Sequence, residues 1–69
     1  MVEIFRTDVS KKTKERSILS TLQSEFPHLK INFDLDDCDR ILRVEGKTIS
    51  VDKIISLMEQ QEYLCELLQ

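Results

Sequence analysis

The residue types able to do chemistry gather in two short stretches. Asp36, Asp37, Cys38 and Asp39 form an acidic turn around one thiol, and Lys11, Lys12, Lys14 and Arg16 crowd the start of a helical pattern. One thiol with three carboxylates offers a borderline cation such as zinc a mixed ligand set, although a fixed site takes three or four ligands. Neighbouring carboxylates raise a thiol's pKa and so work against the reactive thiolate. The lysines oppose the helix dipole, which prefers anions at its N-terminus. They read either as a solvated face that tolerates its charge or as a contact for an anion or an acidic partner. His28 is the only histidine, follows Pro27 without ligand spacing, and reads as an exposed loop residue. Cys65 lies in an alternating stretch beside Leu64 and reads as a small core residue. That inward placement, with the reducing compartment inferred below, argues against a disulfide to Cys38. One histidine allows no Ser/His/Asp or Cys/His set. Arg6 beside residues 7–10, without a glycine-rich cradle, makes no phosphate loop. The chain therefore reads as non-enzymatic, with no catalytic residues and no bound cofactor.

These stretches are positioned by a β-hairpin at residues 31–46. Ile31, Phe33 and Leu35 alternate with Asn32 and Asp34, the period of a half-buried strand. Leu42 and Val44 then alternate with Ile41, Arg43 and Glu45. A helical pattern flanks the hairpin on each side. Residues 11–26 carry Ile18, Leu19, Leu22 and Phe26 on one stripe, with Ser10 as the expected N-cap. Val51, Ile54, Ile55 and Met58 form the second stripe, behind an expected cap at Ser50. Residues 2–7 read as the first strand. There Val2 and Ile4 share one face and Phe5 the other, so the inward face stays ambiguous unless a bulge near Arg6 lets Phe5 join the core. Residues 63–68 read as the last strand, with Tyr63, Cys65 and Leu67 on one side. The order strand, helix, strand, strand, helix, strand with right-handed crossovers predicts an α+β, ferredoxin-like βαββαβ fold. In it a four-stranded antiparallel sheet carries both helices on one face. Strands 31–35 and 63–68 fall at the edges, the second stickier for Leu64 and Leu68.

Composition narrows the classes. The 69 residues read as one domain, 1–69, with 41% hydrophobic and 33% charged residues. A chain of this length buries only ~60% of the surface its unfolded form exposes, which leaves no room for a deep cleft. The net charge of −3 argues against nucleic acid, whose phosphates need clustered Lys and Arg. No stretch reaches the ~20 apolar residues of a membrane span. Two cysteines are too few for a disulfide scaffold. A cytoplasmic setting with reduced thiols follows as the expectation.

At this level the sequence resembles the heavy-metal-associated domain family, the fold of small copper chaperones, over nearly the whole chain. That family places Gly-Met-Thr-Cys-x-x-Cys after the first strand, with an apolar helix residue four positions beyond the second cysteine. Ile18 matches that residue. Counting back, Lys14 and Lys11 stand at the two cysteines, Ser10 at the threonine, Val9 at the methionine and Asp8 at the glycine. Asp34-Leu35 followed by Leu42-Arg43-Val44 resembles the family hairpin, and residues 50–55 resemble the start of its second helix. Glu62-Tyr63 stands where the family has Gly-Tyr. The resemblance implies the same fold with the metal loop rewritten, because Cu(I) needs thiolate or thioether ligands and lysine supplies neither. It implies a protein-interaction or regulatory module. The expected contact is through Lys11, Lys14, Asp36, Asp37, Cys38 and Asp39 at one loop end, or through the open sheet face. The expected partner is another protein, with the chain itself a monomer or weak homodimer. The alternative keeps metal handling, with zinc or copper held by Cys38, Asp36, Asp37 and Asp39. At the same end, pairing of the lysines with the aspartates would leave a structural rim of salt bridges.

Overall fold

The computed structural model describes residues 1–10, 12–34 and 40–68, and of residues 12 and 13 the backbone alone. Six elements follow in order: β1 (Val2–Thr7), α1 (Lys12–Glu25), β2 (Lys30–Asp34), β3 (Ile41–Glu45), α2 (Val51–Gln60) and β4 (Cys65–Leu68). The strands form one sheet in the order β2-β3-β1-β4, with every neighbouring pair antiparallel. Both helices cover one face. The fold is ferredoxin-like α+β, and β2 and β4 are its edges.

The buried set explains why these residues take these elements. Ile31 of β2, Leu42 and Val44 of β3, Phe5 of β1 and Cys65 of β4 turn toward the helices. Ile18 and Leu22 of α1 and Ile54 and Met58 of α2 close the core from the other side. The period-2 and period-3.6 stripes of the sequence thus meet as one apolar layer. Val9 and Leu29 add to it from the loops.

β1 settles its own ambiguity. Its pairing with β3 runs unbroken from Val2 opposite Glu45 to Arg6 opposite Ile41. Phe5 therefore reaches the core without the bulge near Arg6 that one of the two alternatives required. Phe5 and Thr7 occupy the helix-covered face directly, and Val2, Ile4 and Arg6 the open one. The open face is dressed with charge. Arg6 bonds Glu66 at 2.8 Å on β4, and Arg43 lies 3.5 Å from Glu45 along β3.

The helix ends account for the remaining differences from the sequence reading. α1 stops at Glu25, although Phe26 N–H still donates to Leu22 O at 2.8 Å. Pro27 cannot continue the helix. The Gln23 amide meets the exit instead, donating to Phe26 O at 3.1 Å and Leu29 O at 2.7 Å. Ser50 is the N-cap of α2 by position, with extended backbone and no side-chain cap bond. Gly46 lets Leu29 pass closely, since a Cβ there would collide with Leu29 Cδ2.

The end of α2 breaks a local rule. Tyr63 N–H donates to Met58 O at 3.0 Å and Glu62 N–H to Glu59 O at 2.9 Å. This is the paired Schellman arrangement, whose C′ residue is left-handed and usually glycine. Here it is Glu62, with φ 69°. The turn uses the backbone of Tyr63, so β4 begins at Cys65 rather than at 63. A left-handed L-residue costs roughly 1–2 kcal/mol, partly offset for glycine by the greater freedom of its unfolded chain. Glu62→Gly is therefore expected to stabilise the domain by about 1 kcal/mol, read as a higher urea midpoint at unchanged slope.

Candidate functional site: the loop end

The first strand–helix loop is fixed by two side chains at the end of β1. The Thr7 hydroxyl donates to Arg40 O at 2.8 Å, and the Thr7 backbone N–H reaches the same carbonyl at 3.2 Å. The hydroxyl oxygen also accepts the Val9 N–H at 3.3 Å. Thr7 is buried, and Arg40, whose carbonyl takes both donors, is left-handed at φ 51°. One residue on, Asp8 Oδ1 accepts the Leu64 N–H at 2.9 Å. Thr7 thus ties the loop to the start of β3, and Asp8 ties it to the segment between α2 and β4. Val9, at the position the resemblance gives to methionine, is fully buried and anchors the loop to the core.

This arrangement brings Lys14 together with Asp8, Ser10 and Tyr63 around a shallow cleft of about 210 Å³. Asp8, Ser10 and Lys14 are exposed and Tyr63 is half-buried. Of the expected contact residues, Lys14 is therefore at the loop end. Lys11, Asp36, Asp37, Cys38 and Asp39 lie outside the described residues, and so does the alternative metal set of Cys38 with the three aspartates. Arg40, the first described residue after Asp39, sits against Thr7 through its carbonyl. Among the described residues, no group of three or more His, Cys, Asp and Glu is placed to hold a metal ion. The Arg6–Glu66 and Arg43–Glu45 ion pairs lie on the open sheet face.

Thr7, Asp8 and Tyr63 carry the geometry of this end, and no motif singled them out. Short polar side chains that bond nearby backbone are common at element ends. Which distant N–H or C=O they meet depends on tertiary placement. Glu59 and Glu62 are exposed, Glu62 directly before the cleft residue Tyr63. His28 is exposed, as expected of a loop residue.

Cys65 belongs to the core. Burial, with a smaller contribution from Glu59, pushes its thiol from an ordinary 9.0 up to about 12. The thiol is therefore neutral at physiological pH and a poor nucleophile. Labelling of Cys65 by a disulfide reagent at pH 8 is expected only when the domain is unfolded, as mass spectrometry of the native and urea-treated protein will tell. The raised value also sets a direction for stability. The folded state holds this proton more tightly than the unfolded one, so the contribution is complete below pH 9 and falls away as pH rises toward 12.

A second shallow cleft of about 380 Å³ lies between the helices, lined by Glu25, Phe26, Lys53, Ser56, Leu57 and Gln60. Among the described residues, no helix is long and apolar enough to cross a membrane. The chain matches no family model, no curated protein and no solved structure.

Proposed function

We propose that this chain is a non-enzymatic interaction or regulatory module, similar to heavy-metal-associated domains, whose loop end meets another protein. The observation that carries the reading is Lys14. It occupies the position the resemblance gives to the second metal cysteine, it is exposed, and it faces a cleft built from Asp8, Ser10 and Tyr63. An ammonium there repels a cation, while the loop around it is closed by hydrogen bonds from Thr7 and to Asp8. At Lys14 a positive charge stands where the resemblance expects a thiolate. The proposed setting is cytoplasmic with reduced thiols, the partner is protein rather than nucleic acid, and the chain itself is a monomer or weak homodimer.

The alternative keeps metal handling by Cys38, Asp36, Asp37 and Asp39, and one titration separates the two. Reduced protein is titrated with Zn²⁺ and with Cu⁺ under a competing chelator, and the amide resonances of Ser10, Lys14, Cys38 and Tyr63 are followed. The interaction reading expects no saturable shift at sub-micromolar free metal. Tight binding that disappears in Cys38→Ser would replace it with the metal reading.

A further inference from the structure

The two edges of the sheet are not equivalent. β2 turns Lys30, Asn32 and Asp34 to the open face, all exposed and polar. Glu66 of β4 lies between Leu64, the residue before the strand, and Leu68, which are 66% and 36% exposed. Among the described residues β4 carries no lysine, proline or bulge, so its short length and Glu66 alone blunt it.

The hydrogen-bond phase of β1 fixes what β4 presents. Met1 exchanges both backbone groups with Gly46, and Thr7 N–H reaches Arg40 O, so the odd residues of β1 point toward β3. The even ones point toward β4, which makes Arg6 with Glu66 and Ile4 with Leu68 the bonded pairs of that register. By alternation, the N–H and C=O groups of Cys65 and Leu67 face outward from the sheet. The Leu64 N–H, turned to Asp8, keeps the same phase.

Charge decides what fits there. Glu59 and Glu62 are exposed beside this strand, and Glu66 is exposed on it. Glu66 accepts from Arg6 through Oε1, and a carboxylate has a second oxygen to offer. A second copy meets this edge with the same acidic charge. The symmetric pairing that sets Cys65 opposite Leu67 places Glu66 against its own copy, and like charges directly opposed are destabilising. The pairings centred on Cys65 or on Leu67 set Glu66 opposite Leu64 or Leu68, where no cation meets it.

We infer that the outer edge of β4 accepts an antiparallel, extended segment of a partner protein, with a Lys or Arg opposite Glu66 and apolar residues opposite Leu64 and Leu68. Main-chain bonds to Cys65 and Leu67 supply the pairing, and the side chains on the open face supply the choice. This surface is distinct from the Lys14 cleft and does not depend on the loop-end reading.

The probe is the capped pentapeptide Val-Thr-Lys-Thr-Val, compared with its glutamate analogue and with a form N-methylated at alternate amides. Binding is read from amide shifts and slowed amide exchange at Cys65 and Leu67. The lysine peptide is expected to bind at least about tenfold tighter than the glutamate one, and Glu66→Lys to reverse that order. N-methylation is expected to abolish binding, because it keeps the charge and removes the ladder. The inference fails if neither peptide shifts these amides at ~2 mM, or if the methylated peptide binds equally well. It also fails if the protein alone doubles in mass with concentration through this edge.

Discussion

Phe5→Ala is expected to leave a large part of the domain unfolded at 25 °C, whereas Ile4→Ala is expected to leave it folded. Truncating a buried aromatic costs about 3–5 kcal/mol, its transfer energy plus the cavity left behind. A domain this small holds only ~3–5 kcal/mol in total from a single core. Phe5 is fully buried among Leu42, Val44 and the helix residues. Ile4 lies half-buried on the open face, opposite Arg43 and Leu68, so its truncation is expected to cost about 1 kcal/mol or less through area alone. Urea unfolding followed by circular dichroism measures both. Equal losses would mean that β1 does not present Phe5 inward.

The second large effect is expected at Thr7, through polarity rather than volume. Thr7→Val keeps the shape and deletes the hydroxyl. Arg40 O keeps the Thr7 backbone N–H, but the Val9 N–H loses its acceptor in a buried place. An orphaned buried donor costs roughly 1–3 kcal/mol. Thr7→Ser retains both bonds and gives up one methyl, worth about 0.8 kcal/mol. Serine is therefore expected to be the milder change, the reverse of a hydrophobicity ranking. Resonances of Val9, Ser10 and Arg40 should move in the valine variant and stay in the serine variant. If valine is tolerated better, the hydroxyl does not hold the loop.

Much of the fold was legible because two periodicities do not compete along most of this chain. The alternation of Ile31, Phe33, Leu42 and Val44, and the stripes through Ile18, Leu22, Ile54 and Met58, each describe one face. The pattern failed where two apolar residues stand side by side, at Ile4 and Phe5. There period 2 allows either face, and the core chooses. It failed again at Glu62, whose type argues against the left-handed turn it makes. That position is set by the two backbone bonds that end α2, a cap geometry that overrides the residue's own preference. Tyr63 and Leu64, expected in a strand, serve the turn and the Asp8 bond instead.

The loop end was legible in topology and partly in residues. Lys14 lines the cleft with Asp8, Ser10 and Tyr63. The roles of Thr7 and Asp8 were not legible, because each acts through a bond to a residue more than thirty positions away, Arg40 and Leu64 respectively. No local spacing encodes such a partner. The acidic turn around Cys38 falls outside the described residues.

The central claim is that this loop end is built by the protein's own bonds and does not need a metal. The most direct test is the thermal midpoint of the reduced protein, taken with chelator and then with stoichiometric Zn²⁺ or Cu⁺. A ligand bound to the folded state at a hundredfold its Kd adds about 2.7 kcal/mol, which moves the midpoint of a domain this size by on the order of 10 °C. The account predicts the same midpoint in all three solutions. A rise of that order with either metal, abolished by Cys38→Ser, would contradict it.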